Sequence, residues 1–143
     1  MAEESERAAR GRAAYASQFR LPEDEAMKEL HRVVGERMAT EAINAAGGAW
    51  VEHGLSLRDR SLVVLAALVA QGGVEARLRA HTRWALDHGL TPDELDAMTA
   101  LLAVYVGYPR ASVAVEVIRE VVAAEIVGAE DETDTGALGS SAS

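Results

Sequence analysis

Residues 56–71, SLRDRSLVVLAALVAQ, read either as a long buried helix or as a buried strand, and the fold class turns on that choice. Val63, Val64 and Val69 suit a strand. The length of the run, its alanines, and Ser56 followed three residues later by Asp59 at its start favour a helix. Residues 62–70 are apolar on nearly every face, so such a helix needs cover on all sides. Beyond it, Gly72-Gly73 breaks the chain, and residues 75–89, EARLRAHTRWALDHG, form a second helix with Gly89 placed to end it. Thr91-Pro92-Asp93-Glu94 then restarts a helix with a capping threonine, a first-turn proline and a closing glutamate.

The same signals extend outward. Residues 3–18 form a helix. Pro22 and the acidic run Glu23-Asp24-Glu25 open an amphipathic helix expected to run unbroken to Gly47-Gly48, with Met27, Leu30, Val33, Val34, Met38, Ala42 and Ile43 on its apolar face. Residues 50–55 are a connecting loop. Gly107-Tyr108-Pro109 forces a turn before a last helix over residues 110–126. The chain is therefore expected to be all-α: one helical domain of about six helices over residues 1–127, followed by an acidic disordered tail over residues 128–143.

Composition excludes several functions. The chain has 143 residues, 49% of them hydrophobic, enough for a globular core. Its net charge of −9, without a concentrated basic stripe, argues against nucleic acid as a partner. The longest apolar run is too short for a bilayer, and residues 1–12 lack the pattern of a signal peptide, so a cytoplasmic protein without membrane partners is expected. There is no cysteine, which rules out disulfides, thiolate metal ligands and a thiol peroxidase in this chain. His31, His53, His81 and His88 are scattered without a zinc pattern, and no metal or cofactor is expected.

Residues 55–109 resemble the carboxymuconolactone decarboxylase family. The resemblance rests on GLSLRDRSLVVLAALVAQGG, on RLRAHTRWALDHGLTPDELDAM and on AVYVGYP, with His81 ahead of an Ala-Leu pair. It implies an all-helical, alkylhydroperoxidase D-like fold assembled as a homotrimer or homohexamer. One branch of the family is a peroxidase with a Cys-x-x-Cys pair and a glutamate on the preceding helix; those positions fall here on Val74, Arg77 and the neighbourhood of Ser61. The other branch, the γ-carboxymuconolactone decarboxylases, lacks the cysteines and works without a cofactor, and Arg60-Ser61-Leu62 fits it. Two positions depart from that branch: Glu52 stands where its Trp-x-Arg-Pro-Gly-Leu loop has arginine, and Arg77 replaces an acidic residue.

The site residues follow from spacing and resemblance together. His81 is the candidate general acid or base, because imidazole changes protonation near neutral pH. Arg77, one turn away on the same face, is placed to bind a carboxylate. Trp84, Tyr105, Trp50 and His53 are further candidates for substrate contact; core packing for Trp84 and Tyr105, and simple exposure for His53, are the alternatives. His31 reads as a surface residue, and His88 as a partly cationic group suiting the end of its helix. Arg58 and Arg60, in a first turn where cations are disfavoured, call for a partner charge or anion. These expectations add up to a cofactor-independent lyase of aromatic catabolism acting on a small anionic lactone or oxo acid. A diverged isomerase or cyclase, or a non-catalytic oligomeric module that binds a small molecule, remains the alternative.

Overall fold

The computed structural model describes residues 1–51 and 54–138. Among the described residues seven helices follow one another: α1 (Ala2–Phe19), α2 (Glu23–Val34), α3 (Glu36–Ala49), α4 (Leu57–Gln71), α5 (Glu75–Asp87), α6 (Pro92–Val106) and α7 (Tyr108–Leu138). There is no strand among the described residues. The chain divides within α4 into two compact units, Met1–Arg60 and Ser61–Ser143.

In the first unit α1 packs on α3 and α2. The amphipathic stretch expected to be one helix is two. Gly35 adopts φ 78°, ψ 164°, a conformation that ends α2 and that a side chain would strain. Gly47 and Gly48, expected at the end of a helix, lie inside α3 and are buried. Their role is close approach. A Cβ on Gly47 would fall 1.9 Å from the Arg7 carbonyl oxygen, and one on Gly11 would fall 1.9 Å from that of Ile43. The backbones of α1 and α3 therefore touch directly.

The second unit has the larger apolar core. Leu65 and Val69 of α4, Leu78 and Ala85 of α5, Leu95 and Met98 of α6, and Ala114, Val117 and Ile118 of α7 pack together with Leu90. The capping signals form as read. The Asp59 N–H donates to Ser56 Oγ at 3.0 Å, opening α4. At α6 the Glu94 N–H donates to Thr91 Oγ1 at 3.2 Å and the Thr91 N–H donates to Glu94 Oε2 at 3.0 Å, completing a capping box. Gly89 follows α5 at φ 95°. The apolar run of α4 is helical, yet within one chain only Ser61, Leu65 and Val69 of that helix are buried, a stripe of four-residue spacing; Val63 is 57% exposed. A single layer of neighbours covers one stripe of a helix.

α7 continues as helix to Leu138, past Gly128, where the sequence suggests a disordered tail; residues 139–143 lie outside the described residues. Propagation explains the continuation, since adding a residue to an existing helix costs far less than nucleating one, and residues 129–132 are good helix formers apart from Asp131.

Two glycine substitutions separate packing from propensity. Gly47→Ala gains about 1 kcal/mol of helix propensity but meets backbone atoms that no rotamer change can move. Overpacking of this kind costs about 1–3 kcal/mol or more, so Gly47→Ala is expected to lower the urea midpoint. Gly128→Ala, with open space around its Cβ, is expected to hold or raise it.

Candidate functional site

The site is built along one face of α5. Arg77, His81, Trp84 and His88 follow at intervals of four, three and four residues, the repeat that lines up side chains on a helix. Leu78 and Ala85 anchor the adjoining face in the core, so this stripe is drawn partly below the surface. Trp84 is 4% exposed and His81 is half-buried. The His81 and Trp84 rings stand with centroids 6.1 Å apart and tilted by 53°; the Trp84 and His88 rings are at 4.7 Å and 47°. Trp84 is thus a buried indole between two imidazoles.

Burial sets the charge of His81. Removal from water, reinforced by the Arg77 guanidinium, pushes its pKa from 6.5 down to about 4. The imidazole is neutral at neutral pH and acts there as a proton acceptor. Arg77 itself is exposed, one turn nearer the start of α5, where an anion from solvent can reach it.

Tyr105 lies on α6 and is 78% exposed, beside an equally exposed Val104, so within one chain it is a surface group. Trp50 caps α3 in the first unit, and its carbonyl accepts a hydrogen bond from the Arg60 guanidinium. That bond, and an ion pair of Arg58 with Asp59 at 3.9 Å, supply the partners that two cations in the first turn of α4 require. His53 and Glu52 lie outside the described residues. A cavity of about 410 Å³ opens beside the α4–α5 turn, walled by Leu68, Val69, Val74, Leu78 and Val113 with Arg110 among its lining; His81 does not line it. No cluster of metal-ligating side chains occurs among the described residues.

Sequence reasoning missed two residues. Ser61, 2% exposed in α4, shares a hydrogen bond with His88, Oγ to Nδ1, at 2.7 Å. The structure opposes the partly cationic state expected of His88 from its position. Burial lowers its pKa, against an opposing pull from Asp87, and the ring is engaged by a hydroxyl from another helix. The available signal was the spacing, since His88 lies four residues beyond Trp84 and seven beyond His81.

The sequence profile of the carboxymuconolactone decarboxylase family matches residues 38–120. The chain belongs to this family. It is also similar to the 4-carboxymuconolactone decarboxylase of Acinetobacter baylyi, with 38% identity over 77 residues, 54% of this chain. The matched segment spans 57% of that relative's length. The matched residues 38–120 carry the whole α5 stripe together with Ser61 and Tyr105.

The charge state of His81 gives the protein a defined pH response. Above pH 6.5 the imidazole is neutral whether the chain is folded or unfolded. Between 6.5 and about 4 the unfolded chain takes up a proton that the folded chain refuses, so stability falls as pH falls. The gap between the two values bounds that loss at about 3 kcal/mol. Urea unfolding at pH 6.5 and 4.5 is expected to show His81→Gln losing at least about 1 kcal/mol less over this interval than the unsubstituted protein.

Proposed function

We propose that this protein is a cofactor-independent carbon–carbon lyase that decarboxylates a small anionic lactone or oxo acid, with His81 as its general acid/base. The observation that carries the reading is a half-buried, neutral imidazole one helical turn from an exposed arginine, in a chain of this family. The name of the Acinetobacter baylyi relative supports a carboxymuconolactone as the substrate class.

The chemistry asks for three things. A carboxylate must be held, and Arg77 offers a guanidinium for it. Its C–C bond then breaks; carbon dioxide leaves, and the electron pair passes into the conjugated lactone or ketone as a dienolate. That charge must be stabilised where it develops. Finally a carbon of the dienolate takes a proton. His81 is neutral without substrate, so it becomes a proton donor only when a bound carboxylate offsets the charge of Arg77 and favours the imidazolium. It passes that proton to carbon and is reprotonated from solvent. Trp84 supplies an apolar wall that keeps the imidazole out of bulk water.

The reading includes assembly into a homotrimer or homohexamer. Val63, Leu101, Val104, Tyr105 and Tyr108 are all exposed large apolar or aromatic side chains of the second unit, and surface of this kind is covered in soluble proteins by a partner. Such an assembly would bring Tyr105 and substrate together from different copies. No helix among the described residues is long and apolar enough to cross a membrane. Tyr105 at the surface also suits a non-catalytic binding module, and an isomerase or cyclase would use the same imidazole; turnover products separate these readings.

Two measurements test the proposal. Light scattering at micromolar concentration is expected to give three or six times the chain mass of 15.2 kDa; a stable monomer overturns the assembly. With a carboxymuconolactone substrate, His81→Ala is expected to cut kcat by at least about 100-fold, and Arg77→Ala to act mainly on KM. Unchanged turnover in His81→Ala would make the histidine structural.

A further inference from the structure

We propose that Ser61 and His88 are positioning residues for His81: their hydrogen bond between α4 and the end of α5 holds the Trp84 indole in place, and Trp84 in turn fixes the depth at which the His81 ring sits. The proposal rests on the reading of His81 as the acid/base group.

Continuity of contact carries the inference. Ser61 Oγ lies 2.7 Å from His88 Nδ1. The His88 ring lies 4.7 Å from the Trp84 indole, which lies 6.1 Å from the His81 ring. Every link but His81 and His88 is nearly inaccessible to solvent, with Ser61 at 2% and Trp84 at 4%. A buried serine hydroxyl bonded to an imidazole is not needed to close α5. The His88 N–H already donates to the Trp84 carbonyl at 3.0 Å, and the Leu90 N–H donates to that of Ala85 at 3.0 Å. What the side-chain bond adds is a fixed ring plane for His88. An indole is asymmetric, so a fixed neighbour selects one of its two ring orientations. The orientation selected decides whether His81 is backed by an apolar face or by a gap that water can enter.

Several charged groups surround α5. Arg77, on α5 itself, acts on His81 directly. Arg79 and Arg83 face away from the stripe into a cleft shared with Glu120 and Glu125 of α7, and Arg79 pairs with Glu120 at 2.5 Å. Arg119 of α7 pairs with Asp96 of α6 at 2.6 Å. Asp87 acts on His88. From α4 the stripe receives an uncharged group, Ser61.

The test is NMR titration of the His81 imidazole in the full-length protein, with Ser61→Ala, Ser61→Thr and His88→Phe compared with the unsubstituted chain. Ser61→Ala is expected to move the His81 midpoint upward by about one pH unit or more as water reaches the ring. Ser61→Thr keeps a hydroxyl and is expected to restore it. His88→Phe keeps a ring against Trp84 but loses the bond, and covers the case in which Ser61→Ala does not fold; it is expected to shift the midpoint in the same direction. A His81 midpoint unmoved in folded Ser61→Ala or His88→Phe overturns the proposal and leaves the pair as a tie between helices. A midpoint near 6.5 in the unsubstituted protein overturns instead the buried, neutral His81 on which the functional reading stands.

Discussion

The depth at which α5 is held in the second unit governs the protonation of His81. Leu78 and Ala85 lock one face of the helix against α4 and α7, and the neighbouring face cannot then stand free of the core. His81 inherits a partly dehydrated position from this packing, and dehydration is the larger cause of its lowered pKa, ahead of Arg77. A solvent-facing histidine with the same neighbours would feel Arg77 through water, where opposing or like charges count for little. Core packing and acid-base chemistry are therefore coupled through a few ångströms of helix placement.

Much of this was legible in the sequence because it is written in local signals. The Thr91–Glu94 box, the Ser56 cap and the stop at Gly89 each depend on residues within one turn, and each forms as read. The all-helical class followed from choosing helix for the α4 run. The expectations that differ from the structure involve longer range. Gly35 interrupts a hydrophobic repeat that continues across it, so periodicity alone fused α2 with α3. Gly47 and Gly48 look like a helix stop, but their small size serves the approach of α1, from residues near position 7. The Ser61–His88 bond joins residues 27 positions apart, and nothing local to either announces the other.

The site shows the same division. His81, Arg77 and Trp84 share a helix, and their spacing alone placed them on one face. Trp50 and Tyr105 were nominated from other segments, where spacing carries no geometric information. One caps α3 in the first unit, and the other stands at the surface of α6. The exposed row on α6 and the exposed Val63 of α4 are apolar surface that the second unit's own helices leave uncovered. The residual apolar surface is what the proposed assembly would cover, and Arg77, His81 and Trp84 are the candidate residues that one helix of one chain brings together.

With His81 as the proposed general acid, Arg77 poses an apparent contradiction, because a cation beside such a group suppresses the very protonation it needs. Magnitudes resolve it. Burial and Arg77 together disfavour the His81 cation by about 3 kcal/mol. A carboxylate about 4 Å from a charge near a protein surface contributes about 4 kcal/mol of the opposite sign. A bound anion is thus sufficient to reverse the balance. On the proposed reading, the imidazole stays neutral without substrate and donates no proton, and with substrate the same arginine that draws in the carboxylate has its field cancelled by it. On the proposed reading Arg77 ties protonation of His81 to occupancy by an anion, whereas a carboxylate side chain at position 77 would favour the imidazolium whether or not substrate was bound.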